Sequence, residues 1–84
     1  MKYQLKVKPK AEKELKKLPK DVYYKILSAF TVLSCNPYIG KKMQGEYGNC
    51  HNYRVWPYRI IYEIHKQELV VLVIRVGHRQ GVYK

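Results

Sequence analysis

Acidic residues are scarce in this chain. Its 84 residues include six aspartates and glutamates against 17 lysines and arginines, which gives a net charge of +11. A small domain needs a net charge of only roughly 2–8 to stay soluble, so the excess favours a nucleic-acid or other anionic partner. Two-metal phosphoryl chemistry requires several converging carboxylates, and the few acids here show no spacing that would bring them together. We therefore expect any active site to be basic, metal-free and without a cofactor.

Other absences narrow the class of protein. No apolar run reaches membrane-spanning length, and no secretory signal opens the chain, where lysine already stands at position 2. These features predict a soluble, cytoplasmic protein with no membrane partner. Cys35 and Cys50 follow no metal-ligand spacing, and free thiols are favoured over a disulfide. P-loop, dinucleotide-binding glycine, HExxH and CxxC motifs are missing. The 46% of hydrophobic residues suffices for one core, and the length predicts a single domain over residues 1–84.

The positive charge is divided by residue type. Eleven of the 13 lysines lie between positions 2 and 42, whereas all four arginines follow position 53. Lysine is a flexible point charge suited to loose attraction, and arginine is a rigid fork suited to fixed phosphate geometry. We expect the first half to dock on an anionic surface and the second half to hold a phosphate. The candidate residues for binding a nucleic acid, which the resemblance described below implies to be RNA, are Lys13, Lys16, Lys17, Lys41, Lys42 and Arg54.

Residues 53–76 predict two consecutive β-hairpins, with turns at residues 56–57 and 66–67. Because alternate strand residues share a face, a turn centred on residues 56–57 sets Arg54 directly opposite Arg59. Like charges placed across a strand pair destabilise a sheet, so this register indicates that an anion binds there.

The first half predicts one strand and two helices. Residues 3–8 alternate between apolar and polar, Pro9 suits a helix start, and apolar residues recur at helical spacing through Lys17. A second helix begins near Asp21 and should stop before residues 36–37, Asn-Pro. Residues 37–50 are spaced by glycines and predict a connecting loop. The expected order is β-α-α-β-β-β, an α+β fold with a helical hairpin packed on a mostly antiparallel sheet.

Three short motifs carry a resemblance to a known family. They are KMQG at residues 42–45, YRIIY at residues 58–62, and RVGHR at residues 75–79 followed by VY at 82–83. With the element order and length, they make the chain similar to the RelE toxins of type II toxin–antitoxin pairs, within the RelE/ParE superfamily. The resemblance implies an architecture like that of the small microbial ribonucleases.

The resemblance also implies catalytic roles. Arg59 matches the strand arginine that stabilises the scissile phosphate, Arg79 the arginine of the tail, and Tyr83 the C-terminal tyrosine that stacks on or orients the substrate. His78 stands where similar members have lysine or histidine, and it is a candidate acid or base. A structural ion pair between Arg59 and Glu63 is the alternative for Arg59.

Other positions depart from the family or stay open. Arg54 lies near a family lysine of the basic site, whereas Asn52 and Gln44 stand where members carry a second lysine or an arginine. These departures leave proton transfer less defined than phosphate binding. Arg75 alternates with Val71 and Val73, which suits a place at a sheet edge, and its role is open.

The function implied is that of a metal-independent mRNA endoribonuclease in the ribosomal A site. In that chemistry the RNA supplies its own 2′-hydroxyl nucleophile, a 2′,3′-cyclic phosphate forms and DNA is spared. The implied partners are the ribosome, mRNA and a cognate RelB-like antitoxin, with the toxin as a monomer inside a hetero-oligomer. Two alternatives stay open: a ParE-like toxin that inhibits DNA gyrase without cutting nucleic acid, and a plain RNA-binding module.

Overall fold

The last third of the chain folds into the two predicted hairpins. In the computed structural model, which describes residues 2–45 and 48–78, the strands are β3 (Cys50–Val55), β4 (Tyr58–His65) and β5 (Val70–His78). All pair antiparallel, and Arg54 lies opposite Arg59. The predicted register of the first hairpin is therefore confirmed.

Two short strands complete a five-stranded sheet in the order β1-β5-β4-β3-β2. Strand β1 (Gln4–Val7) pairs parallel with β5, and β2 (Lys41–Lys42) pairs antiparallel with β3. Strand β2 lies inside the segment predicted as a loop. The prediction missed it because a strand of two residues is too short to show alternation. It places the two lysines at the edge of the sheet.

Two helices join β1 to the rest of the sheet. Helix α1 (Pro9–Lys16) begins with proline at its first turn, and α2 (Lys20–Cys35) ends before residues 36–37 as predicted. No helix among the described residues is long and apolar enough to cross a bilayer. The α+β prediction, a helical hairpin on a mostly antiparallel sheet, is confirmed.

The two faces of the sheet differ sharply. Tyr62 and Ile60 of β4 are fully buried in the main core, which the helices complete with Ala11, Leu15, Ile26, Ala29, Phe30 and Leu33. Alternate residues of β4 point the other way, where Ile61 packs with Met43 and Cys50 in a small second cluster. We call that second side of the sheet the helix-free face. Both cysteines are free.

Strand β5 contains one residue more than its partner. Ile61 pairs with Arg75 and Tyr62 pairs with Val73, so Ile74 forms a bulge. Before the bulge the buried residues of β5 are Val71 and Val73, and after it the buried residue is Val76. Strict alternation would have buried residue 75 instead, so the bulge keeps Arg75 out of the core.

Candidate functional site

A cationic cleft opens on the helix-free face near the turn between β3 and β4. It has a volume of about 480 Å³, and its lining comprises Lys41, Lys42, Met43, Gln44, Asn52, Arg54 and Arg59. Four of these lining residues are cationic, two carry amides and none is acidic. We name this site the cationic cleft; its donors suit an anion with several oxygens.

Two arginines form the floor of the cleft. Arg54 is exposed and Arg59 half-buried, and they are direct cross-strand partners. Their Cβ atoms are therefore about 5 Å apart, a distance at which like charges repel. A phosphate between the guanidinium groups converts this repulsion into two sets of charge-assisted hydrogen bonds.

A buried tyrosine positions the lysine side of the cleft. Tyr62 Oη donates to the Pro37 carbonyl at 2.7 Å and accepts from the Gly40 amide at 3.1 Å. These bonds fix the segment that leads into Lys41 and Lys42. Burial raises the pKa of Tyr62 to about 12, so the phenol keeps its proton and remains a donor.

Position 40 requires glycine because two neighbouring groups lie too close to leave room for a side chain. A Cβ atom at this position would meet the Tyr62 hydroxyl and would lie 2.8 Å from the Asn52 carbonyl oxygen. Asn52 itself donates from Nδ2 to the Lys41 carbonyl at 3.4 Å, a long bond that adds to the pairing of β2 with β3. The cleft wall is thus tied to the core through backbone contacts.

His51 supports the same wall from the opposite side. It pairs with Lys42 and Tyr62, stacks on the Tyr62 ring at 5.7 Å and meets the Tyr38 ring edge-to-face at 6.2 Å. Burial, followed by the charge of Lys42, lowers the pKa of His51. A neutral imidazole therefore fits this place between two aromatic rings.

The structure gathers only some of the predicted site residues. Arg54, Arg59, Lys41 and Lys42 line the cationic cleft. The three lysines of the first helical segment, Lys13, Lys16 and Lys17, are exposed. Because α1 packs on the other side of the sheet from the cleft, these lysines form a separate basic surface.

The remaining predicted residues belong to the chain terminus. His78 ends β5 opposite Tyr58, and the two rings meet edge-to-face at 5.8 Å. Tyr58 packs against the main core, so this pair lies across the sheet from Arg59, and His78 is not among the described lining residues of the cleft. Arg79 and Tyr83 lie outside the described residues. The catalytic roles of all three remain predictions.

Several supporting residues carried little signal in the sequence. Tyr62 reads as one apolar position in an alternating strand, and its hydrogen bonds to residues 37 and 40 depend on a contact more than twenty positions away. Met43 belongs to a loop by pattern but is buried in the second cluster. Asn52 and Gln44, the two departures from the family's basic residues, both line the cleft.

Comparison with known proteins agrees with the motifs. The family model described as the ParE toxin of type II toxin–antitoxin system, parDE, matches residues 5–83. Toxin RelG of Mycobacterium tuberculosis is 30% identical over 86 residues, which cover 100% of this chain and 99% of that protein.

Solved structures are similar over nearly the whole chain. The RelBE2 toxin–antitoxin complex from M. tuberculosis contains a chain with a TM-score of 0.87 and 30% identity, covering 94% of this chain and 100% of that one. The isolated E. coli RelE toxin gives a TM-score of 0.80 and 29% identity, with 96% and 90% covered. The RelE–RelB complex of Pyrococcus horikoshii gives 0.82 and 25%, with 96% and 99% covered.

Proposed function

The chain belongs to the RelE/ParE superfamily of toxins from type II toxin–antitoxin systems, and from this premise we propose that it is a metal-independent endoribonuclease that cuts mRNA in the ribosomal A site. The observation that carries the proposal is the pair formed by Arg54 and Arg59, which face each other across two strands in the cationic cleft. An RNA phosphodiester has the charge and the oxygen geometry that such a pair binds.

The reaction uses the nucleophile that RNA itself contains. The 2′-oxygen attacks phosphorus and loses its proton to a base, the P–O5′ bond breaks, and the 5′-oxygen takes up a proton. The product is a 2′,3′-cyclic phosphate. Arg59 neutralises the charge that grows on the phosphoryl oxygens, where a fixed donor contributes about 10²–10³ in rate.

The residues of the terminus supply the remaining roles in this proposal. Arg79 adds a second charge to the transition state, and Tyr83 stacks on a base, worth about 1–3 kcal/mol. His78 is proposed as the acid or base. Replacing it by glutamine should flatten the pH dependence of cleavage, whereas an unchanged pH profile assigns proton transfer to another group.

The decisive experiment maps mRNA ends after brief induction of the protein. We expect new ends inside codons and arrested translation with the wild type, and neither with Arg59→Ala or Arg79→Ala. Lys66→Ala is the matched control, because it removes one positive charge from the exposed turn at the far end of β4. Persistent growth arrest in a soluble Arg59→Ala/Arg79→Ala double variant contradicts the catalytic assignment.

Docking on the ribosome is assigned to the lysines of the first helical segment. Lys13, Lys16 and Lys17 are exposed on the opposite side of the sheet from the cleft, so they are free to contact ribosomal RNA while mRNA occupies the cleft. The triple replacement by glutamine should reduce ribosome co-sedimentation and its salt dependence. Binding of a short RNA to the cleft should change much less.

The proposed partner is a small RelB-like antitoxin rich in acidic residues. Support comes from the net charge of +11 and from the neighbours solved as RelBE or RelE–RelB complexes. Co-expression with a RelB-like antitoxin that binds the chain should yield a stable complex and restore growth. A chain that is harmless when highly expressed alone contradicts any toxin function.

A gyrase poison is the second candidate, because the matching family model is that of the ParE toxin. The two functions separate early after induction. Inhibition of gyrase produces DNA breaks while translation continues, whereas the ribonuclease stops translation with DNA intact. The outcome for Arg59→Ala adds a further distinction, because only the ribonuclease needs a charge at the phosphate.

A further inference from the structure

A carboxylate of the first helix holds the bulged segment of β5. Glu14 accepts from Arg75 Nε at 3.1–3.2 Å and from Arg75 Nη2 at 2.9 Å, and its Oε1 also accepts from the Val76 amide at 3.0 Å. The side chains of Glu14 and Arg75 are only 24% and 15% exposed. We call this arrangement the carboxylate clasp.

The clasp lies where β5 lacks a neighbouring strand. The last pair between β1 and β5 is Val7 with Val73, and beyond it α1 covers the edge of β5. An amide at an uncovered edge needs a partner, and Glu14 provides one for Val76. The same carboxylate neutralises Arg75, which the bulge at Ile74 pairs with Ile61 and thereby keeps out of the main core.

The bulge decides which residue stands beside Arg59. With it, Val76 pairs with the buried Ile60 and Gly77 pairs with Arg59. Without the extra residue, the pairing of Tyr62 with Val73 would continue so that Arg75 faced Ile60 and Val76 faced Arg59. That register would bury a guanidinium under the helices, at high cost.

The bulged register also shapes the cleft. A cross-strand partner of Arg59 stands on the helix-free face with its Cβ about 5 Å away. Glycine places no Cβ atom beside the guanidinium, whereas valine would place a branched side chain there.

We propose that Glu14 is a positioning residue for the cationic cleft: its contacts with Arg75 and Val76 fix the register that sets Gly77 beside Arg59. The claim about register stands on geometry alone. Its consequence for RNA rests on the proposed function. Glu14 touches no residue of the cleft in the contacts described, and it acts through β5.

The test compares two carboxylates of the same helix. Glu14→Ala and Glu12→Ala each remove one negative charge from α1, but Glu12 is exposed and Glu14 forms the clasp. The first readout is the amide–amide proton contact between Arg59 and Gly77 in NMR spectra. The Val76 amide points to Glu14, so Gly77 faces β4 as the hydrogen-bonded partner of Arg59. The NMR contact should vanish in Glu14→Ala, persist in Glu12→Ala, and return in Glu14→Gln, which keeps an acceptor for the Val76 amide.

The second readout is affinity for a short 2′-O-methyl RNA that resists cleavage. Loss of negative charge alone should tighten binding equally in both variants. If Glu14 positions the cleft, Glu14→Ala should instead weaken RNA binding by about tenfold, as expected when one charge-assisted contact is misplaced. Leu33→Ala, a truncation in the fully buried core of α2, controls for lost stability and should keep both the NMR contact and the affinity.

An Arg59–Gly77 contact that survives in Glu14→Ala overturns the inference, whatever the RNA measurements give. Loss of the contact in Leu33→Ala as well also overturns it, because general loosening would then explain the effect. If the contact disappears only in Glu14→Ala while the wild type shows no affinity for RNA, the positioning role is supported and the proposed function fails.

Discussion

Arginines on neighbouring strands of this sheet have opposite surroundings. Arg75 of β5 lies against Glu14 and is largely buried, so its charge is matched within the chain. Arg54 and Arg59 of the β3–β4 hairpin face each other in a cleft whose described lining contains no acid. Residue type is the same in both regions, but Arg75 lies against a carboxylate and Arg59 lies opposite another arginine.

The Glu14–Arg75 contact and the Arg54–Arg59 pair have different roles. A matched arginine adds to the fold, because its hydrogen bonds are satisfied before any ligand arrives. Two facing arginines repel each other, and an anion bound between them relieves that repulsion. Functional arginines in this fold are therefore expected where like charges face each other across two strands.

The largest effect is expected for Arg59→Ala. We predict a fall in cleavage rate of about 10²–10³, the value of one fixed donor at a developing oxyanion, with a smaller loss of stability than in Arg75→Ala because Arg59 faces a like charge. Single-turnover cleavage on programmed ribosomes, together with urea unfolding, measures both. A parallel loss of rate and stability would show that Arg59 belongs to the structural class, with Arg75.

Arg75→Ala should give the reverse pattern. The change leaves the partly buried Glu14 carboxylate without its charged partner, and we predict a loss of about 1–3 kcal/mol in the free energy of unfolding. The effect is measured by urea denaturation against Lys66→Ala, an exposed cation in a turn. Equal stability of the two variants would mean that the clasp adds nothing to the fold.

The sequence predicted the facing pair of arginines in the cleft better than it predicted the residues around them. The period of two along residues 58–65 and a two-residue turn determine that Arg54 faces Arg59, because both are local properties of one hairpin. The two helix boundaries that proline sets were predicted for the same reason: proline restricts its own backbone and that of the preceding residue.

Features that depend on distant contacts could not be predicted in this way. Strand β2 exists because residues 41–42 meet β3, and Tyr62 holds the segment before it through two hydrogen bonds. The bulge at Ile74 could not be predicted either, because Glu14, which stabilises it, is about sixty positions away in the sequence. Alternation alone puts Arg75 in line with Val71 and Val73, and only the tertiary structure shows where the pattern shifts.

Acidification should lower the folding stability of the protein through protonation of His51. Its imidazole is held neutral beside Lys42, and its Nδ1 is buried without a hydrogen-bond partner among the described residues. Because the pKa of His51 is lowered in the fold, the unfolded chain binds more protons as the pH falls below about 6.5, and stability falls with it. This direction is opposite to that of a histidine paired with an acid.

His51→Phe keeps the ring stack on Tyr62 and removes the titration. We predict that urea midpoints of the wild type fall between pH 7.5 and 5.5, and that the variant loses less over the same interval. The other two histidines are unchanged between the two proteins, so their contributions cancel in the difference. Identical pH dependence of the two proteins would show that His51 accepts a proton in the folded state without cost.

The smallest effect is expected for Arg54→Gln, and it has an unusual sign. Removing one of two facing charges should raise the free energy of unfolding by about 0.2–1 kcal/mol, while RNA affinity falls. The gain should shrink as salt screens the repulsion, and Arg54→Lys, which keeps the charge, should show no gain. A substitution that stabilises the free protein and weakens its complex marks a residue retained for binding; a destabilised Arg54→Gln would mean that the facing pair is already neutralised within the fold.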